Sequence, residues 1–113
     1  MTGLDGNSGN TSLVGYPDVN IKNNYISSVK GVVHYRSSLC SKDEFTVKVG
    51  QTYKNSRGLC LITRITGQDA KTNAACTPYS SVGTTYHEFI ITKTQSGTGC
   101  AITRFVQDEE TGM

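Results

Sequence analysis

Short runs in which apolar and polar residues alternate recur along the chain, separated by clusters of Gly, Asn, Ser and Thr. A period of two places successive side chains on opposite faces of an extended strand. In residues 26–36, Val29, Gly31, Val33 and Tyr35 share one face while Lys30, Val32, His34 and Arg36 share the other. In 44–49, Phe45, Val47 and Val49 alternate with Glu44, Thr46 and Lys48, and Gly50 ends the run. Further runs at 19–21, 58–66, 75–79, 84–92 and 100–106 are punctuated by Asn23-Asn24, Gly67-Gln68-Asp69 and Gln95-Ser96-Gly97-Thr98-Gly99. About seven to eight short strands at such spacing predict an all-β fold, a single antiparallel β-sandwich of jelly-roll or immunoglobulin-like type. The pattern assigns 19–106 to this domain, 1–18 to a flexible N-terminal arm rich in Gly, Asn and Ser, and 107–113 to a frayed acidic tail.

The runs also suggest an internal repeat. At an offset of 44 residues, Tyr35-Arg36-Ser37-Ser38-Leu39 aligns with Tyr79-Ser80-Ser81-Val82, and Glu44-Phe45-Thr46-Val47 with Glu88-Phe89-Ile90-Ile91. Dropping four intervening residues then superposes Cys60-Leu61-Ile62-Thr63-Arg64-Ile65 on Cys100-Ala101-Ile102-Thr103-Arg104-Phe105. A genuine duplication would make a pseudo-twofold pair of sheets with two related surface sites.

Composition supports the β reading. The 113 residues include 31 Val, Ile or Thr against five Leu, a β-branched excess that disfavours helices and suits pleated strands. A net charge of +2, with Lys and Arg scattered, is too small for a dedicated nucleic-acid surface. No run approaches the ~20 apolar residues of a transmembrane segment, and the polar residues after Met1 mean that any export signal is absent or was removed.

Four cysteines, Cys40, Cys60, Cys76 and Cys100, form no C-x-x-C pair and lie at no zinc spacing from His34 or His87. Two disulfides are expected, in a secreted or cell-surface protein, with buried free thiols in a cytosolic protein as the alternative. Four cysteines permit three pairings and the spacing does not choose among them; the expectation is Cys40 with Cys60 and Cys76 with Cys100.

Candidate chemistry is sparse. An acid-base site would need one histidine beside Glu44 or Glu88 and Arg64 or Arg104, the set a small metal-free ribonuclease uses to move a proton and hold a phosphate. Chain length and cysteine count resemble the fungal guanyl-specific ribonucleases. Those enzymes carry a helix across the sheet, for which no amphipathic window exists in this sequence. His87 and Glu88, as strand neighbours, are expected to face opposite ways. No G-x-S-x-G elbow is present, and Gly97-Thr98-Gly99 lacks the lysine and helix of a phosphate loop. The expectation is a non-enzyme without a cofactor.

Asn23-Asn24-Tyr25-Ile26-Ser27-Ser28 resembles the calcium-binding turn of βγ-crystallin domains, which would make Asn23, Asn24, Ser27 and Ser28 calcium ligands. The same residues also suit an Asx turn between two strands.

The remaining polar segments read as aromatic-bearing turns: Tyr35-Arg36-Ser37-Ser38, Tyr53-Lys54-Asn55-Ser56-Arg57 and the stretch from Tyr79 to Tyr86. Sugar recognition combines an aromatic ring under an apolar sugar face with short polar groups that exchange hydrogen bonds with its hydroxyls. The candidate ligand-binding set is Tyr35, Arg36, Ser37, Arg57, Tyr79, Ser80, Ser81, Thr84 and Tyr86, with the Tyr rings stacking and the other groups fixing orientation.

The order Val29-Lys30-Gly31-Val32-Val33-His34-Tyr35, Cys40, Asp43-Glu44-Phe45-Thr46-Val47, Arg57-Gly58-Leu59-Cys60-Leu61-Ile62-Thr63 and Tyr79-Ser80-Ser81 resembles small haemagglutinin-type lectins of slime moulds and fungi. That resemblance implies an all-β sandwich without enzymatic activity that binds glycans or glycoproteins, often as a homo-oligomer that cross-links cells. The alternatives are a disulfide-stabilised toxin or effector that binds a host protein or membrane, the ribonuclease, and a structural coat component.

Overall fold

The computed structural model describes residues 18–56 and 58–105. Where alternation is clean, one face is apolar enough to drive burial and the run becomes a strand. Eight strands result, β1 (Val19–Asn23), β2 (Val29–Tyr35), β3 (Asp43–Val47), β4 (Thr52–Asn55), β5 (Ile62–Asp69), β6 (Tyr79–Thr84), β7 (Glu88–Lys93) and β8 (Cys100–Arg104). Sheet A has the order β4-β1-β7-β8 and sheet B the order β3-β2-β5-β6. The two pack as a sandwich whose core is Val19 and Ile21 of β1, Val29 and Val33 of β2, Phe45 and Val47 of β3, Ile62 and Ile65 of β5, Phe89 and Ile91 of β7, and Ile102 of β8. Each such side chain contributes roughly 1.5–3 kcal/mol by leaving water. No helix occurs among the described residues, and so none long and apolar enough to cross a membrane.

Sheet B is antiparallel throughout, as expected, but sheet A is mixed. β1 runs parallel to β7, with Asn20 opposite Glu88 and Ile21 opposite Phe89. The cause is where the chain crosses over: β6 finishes at the end of the sandwich where β1 starts, so β7 must set out alongside β1. This end, where β2 also finishes, is called the Tyr35 end; the opposite one, where β1 finishes, is the Asn23 end.

Three segments differ from the sequence reading. Residues 52–55, read as part of a turn, form the edge strand β4 against β1, held by backbone pairing with the half-buried Tyr53 and Asn55 facing inward. Gly67-Gln68-Asp69, read as punctuation, continues β5 because each residue pairs with β2. Most of the stretch from Tyr79 to Tyr86 is β6, whereas 75–79 contributes only isolated bridges at Ala75 and Thr77. Val49 lies beyond β3 and is exposed instead of extending its buried face.

The two disulfides join Cys40 to Cys60 and Cys76 to Cys100. The first ties the β2–β3 loop to the β4–β5 loop at the Tyr35 end. The second ties the segment beside β5 to the start of β8, and both its cysteines belong to the core. Two disulfides are consistent with an extracellular protein.

The proposed repeat does not appear in the topology. Of the aligned segments, 44–47 falls on β3, an edge strand of sheet B, while 88–91 falls on β7, a central strand of sheet A. Likewise β5 is central in sheet B and β8 is an edge strand of sheet A. The matches share a period of two and an inward Phe, features of any half-buried strand. The expected arm and acidic tail lie outside the described residues apart from Asp18, which is exposed.

Candidate functional site

The outward positions of three adjacent strands meet on sheet B. Register places Lys30 of β2 between Thr46 of β3 and Gln68 of β5, and Val32 between Glu44 and Thr66. Residues directly opposite across a ladder have Cβ atoms ~5 Å apart, so these six side chains form one continuous surface. They line a shallow cleft of about 630 Å³. Lys30, Glu44 and Thr46 are exposed and Val32, Thr66 and Gln68 half-buried, giving hydrogen-bonding groups of both polarities around one apolar centre. Beneath it, Gly31 and Gly67 occupy inward positions where the core leaves little room for a side chain. A Cβ on Gly31 would meet Thr66 O at 2.1 Å and the Phe45 ring at 2.5 Å, and one on Gly67 would meet Val29 Cγ1 at 3.0 Å. Toward the Tyr35 end the same face continues with His34 opposite Arg64, and Arg64 opposite Ser80 of β6.

The sequence-predicted site divides. Tyr35 to Ser37 and Ser81 to Thr84 come together at the Tyr35 end, on either side of the start of β5. Arg36 N donates to Leu61 O at 2.9 Å, and its side chain lies beside Gly83. Ser81 Oγ donates to Ile62 O at 2.7 Å and accepts from Gly83 N. Ser37 Oγ accepts from Leu39 N, and Thr84 Oγ1 accepts from Tyr86 N. The tyrosines go elsewhere. Tyr35 packs against the core, and its hydroxyl donates to Asp43 Oδ2 at 2.5 Å. Tyr79 and Tyr86 both set their rings edge-on to Phe89, and the Tyr86 hydroxyl donates to Phe105 O. These rings complete the apolar interior, leaving Arg36, Ser37 and Ser80 as exposed members of the set. Arg57 lies outside the described residues.

The two acid-base constellations fare differently. His34 and Arg64 are cross-strand partners on the outer face of sheet B, with Glu44 diagonal to His34 through Val32. His87 precedes β7 instead of lying within it, so strand alternation does not separate it from Glu88: His87 Nε2 lies 3.4 Å from Glu88 Oε2. Asn20 Nδ2 donates to that same oxygen at 3.1 Å. Arg104 is opposite Phe89, one position on from Glu88, and therefore on the other face of sheet A.

At the Asn23 end the crystallin-like segment is an Asx turn. Asn23 is fully buried; its Oδ1 accepts from Tyr25 N at 2.9 Å, and its Nδ2 donates to Ser27 O at 2.8 Å and Val47 O at 2.9 Å. Those bonds direct the side chain into the protein, away from any ion bound at the surface by Asn24, Ser27 or Ser28. Tyr25 in turn donates to buried Asp69 Oδ2 at 3.0 Å, while Asp69 Oδ1 accepts from Lys71 N and Thr72 N. The Lys71 amide, more than any other partner, holds the Asp69 carboxyl below the usual carboxylate range against the opposing effect of burial. Burial, and then the Asp69 carboxylate, push the Tyr25 hydroxyl above the ordinary tyrosine range. Among the described residues no group of three His, Cys, Asp or Glu side chains is placed to hold a metal ion.

The cleft residues Lys30, Val32, Thr46, Thr66 and Gln68 are absent from the sequence-predicted residues, and Glu44 figures there only as an acid-base candidate. Their shared faces are visible in the alternation, but their assembly depends on a register across three strands. Comparison with protein-family models, curated proteins and solved structures finds no match for this chain.

Proposed function

We propose that this protein is a non-catalytic, extracellular glycan-binding module of the haemagglutinin type, and that the glycan lies along the outer face of sheet B. The observation that carries this reading is the cleft of about 630 Å³ in which Lys30, Glu44, Thr46, Thr66 and Gln68 surround Val32. A pyranose presents hydroxyls in several directions and a small apolar face, and this arrangement answers both. Strand-borne side chains are also held by the ladder, which lowers the ordering cost of binding. Hydrogen bonding from the sheet, not ring stacking, holds the sugar in this reading, because the Tyr35, Tyr79 and Tyr86 rings pack against the core. Haemagglutination with free-sugar competition, followed by a glycan array, tests the reading. Each lost hydrogen bond is worth about 1 kcal/mol, so Gln68→Ala and Thr66→Val should each weaken binding roughly fivefold. A folded protein that binds no glycan in either assay would remove this function.

A second reading, the metal-free ribonuclease, draws on the placement of His34 opposite Arg64 with Glu44 diagonal to it. Cleavage of RNA that disappears in His34→Gln would favour it over the lectin.

A further inference from the structure

Of the five exposed large apolar residues among the described ones, three, Leu39 (93% exposed), Val82 (90%) and Leu59 (66%), stand at the Tyr35 end. They come from separate segments that the structure ties together. Leu39 precedes Cys40 and Leu59 precedes Cys60, whose Cα atoms the disulfide holds 6.0 Å apart. Val82 is turned outward by an irregularity in β6, where the register against β5 shifts between Ile62 and Arg64. The Ser81 bonds to Ile62 and Gly83, together with the positive φ of 131° at Gly83, hold that extrusion in place. Arg36 spans the space between the two parts, with its amide on Leu61 and its side chain beside Gly83.

The exposed charges on the loops that carry these residues, 36–42, 58–61 and 80–87, are Arg36 and Lys42. The carboxylates at this end lie elsewhere: Asp43 and Glu88 are half-buried and accept from Tyr35 and Asn20, and exposed Asp18 precedes β1 in the other sheet. A partner peptide would ordinarily be met by a concave surface with aromatic anchors. Here aliphatic side chains protrude, no aromatic is among the exposed large apolar residues, and cations flank them. Aliphatic tips enter the boundary between headgroups and acyl chains, and Lys and Arg beside them pair with anionic headgroups. We propose that this disulfide-braced tip docks on the surface of a bilayer containing anionic lipid. The proposal concerns a surface separate from the sheet B cleft and stands independently of glycan binding.

The experiment is co-sedimentation of the full chain with vesicles of phosphatidylcholine alone and of phosphatidylcholine mixed with phosphatidylserine. The wild type is expected to partition onto the mixed vesicles, more weakly onto the neutral ones, and less as salt rises. Leu39→Asp combined with Val82→Asp should lower partitioning at least tenfold, and Lys42→Glu should lower it on the mixed vesicles alone. An unchanged urea midpoint shows that the variants are folded. No partitioning of the wild type onto mixed vesicles, or equal partitioning of the folded double variant, overturns the proposal. A wild type that is dimeric by light scattering, with a monomeric double variant, also overturns it and assigns the tip to a second copy of the chain.

Discussion

The guanidinium carbon of Arg104 lies 3.9 Å from the centroid of the Tyr86 ring. That contact covers one face of the ring while Phe89 meets it edge-on, and the hydroxyl is bonded to the Phe105 carbonyl. Tyr86 is therefore a fastening between the β6–β7 crossover and the end of β8. Tyr86→Ala should cost about 2–4 kcal/mol and Tyr86→Phe about 1 kcal/mol in urea denaturation, with Arg104→Ala at ~0.5–1 kcal/mol. A Tyr86→Ala protein with wild-type stability and weakened ligand binding would instead return this residue to the binding site.

The Tyr25–Asp69 pair makes stability depend on pH at both extremes. The folded Asp69 carboxyl titrates below its unfolded value of about 3.9, so its contribution is present above that pH and is lost as pH falls toward the folded value. The folded Tyr25 hydroxyl titrates above its unfolded value near 10, so its contribution is present below that pH and is lost as pH rises toward the folded value. Denaturation midpoints measured across pH should show a shallower acid limb in Asp69→Asn and a shallower alkaline limb in Tyr25→Phe. Unchanged limbs in both variants would mean that the pair does not control these transitions.

Gly31 and Gly67 are paired across β2 and β5 but should respond differently to a methyl group. At Gly31 the nearest atom is a backbone oxygen, Thr66 O at 2.1 Å, which can move only by opening the ladder. At Gly67 the nearest are side-chain ends, Val29 Cγ1 at 3.0 Å and Ile102 Cδ1 at 3.2 Å, which can rotate. Gly31→Ala should cost about 3 kcal/mol or more and Gly67→Ala about 1 kcal/mol, compared by thermal melts. Equal costs would show that β5 yields at Thr66 as easily as the core side chains do.

The disulfides should part under mild reductant in a fixed order. Cys76 and Cys100 are buried at 5% and 1% exposure, whereas Cys40 and Cys60 are half-buried. Thiol labelling followed by peptide mapping should find Cys40 and Cys60 first, with the sandwich still folded. Replacing both by Ser should cost about 3 kcal/mol, the closure entropy of a loop of this size. Labelling of Cys76 and Cys100 first would contradict the burial order.

The architecture was legible wherever an apolar residue marked every second position. Val29, Val33, Phe45 and Val47 announce β2 and β3, and Phe89 and Ile91 announce β7. β4 was not legible because Thr52–Asn55 offers one inward aromatic residue and is held by backbone pairing with β1. Nor was the direction of β7, which depends on the end from which the chain re-enters sheet A. The Cys40–Cys60 and Cys76–Cys100 pairing was anticipated, although spacing alone left three choices. The candidate site was legible only in part. Lys30 and Val32, like Glu44 and Thr46, visibly share faces, but nothing in one dimension says that Lys30 falls between Thr46 and Gln68. Tyr residues among Ser and Thr look equally suited to a ligand or to a core short of large side chains, and Phe89 drew two of them inward.

The parallel pairing of β1 with β7 also sets an order of events. The Asn20–Glu88 hydrogen bond joins residues 68 apart in sequence, and non-local pairing of this kind slows folding. All four strands of sheet B precede Glu88, so during synthesis that sheet has every strand available while β1 still lacks one of its two neighbours. Of the described strands β1 is made before the others yet is among the last to be completed, its second edge waiting, unpaired, until β7 has been made.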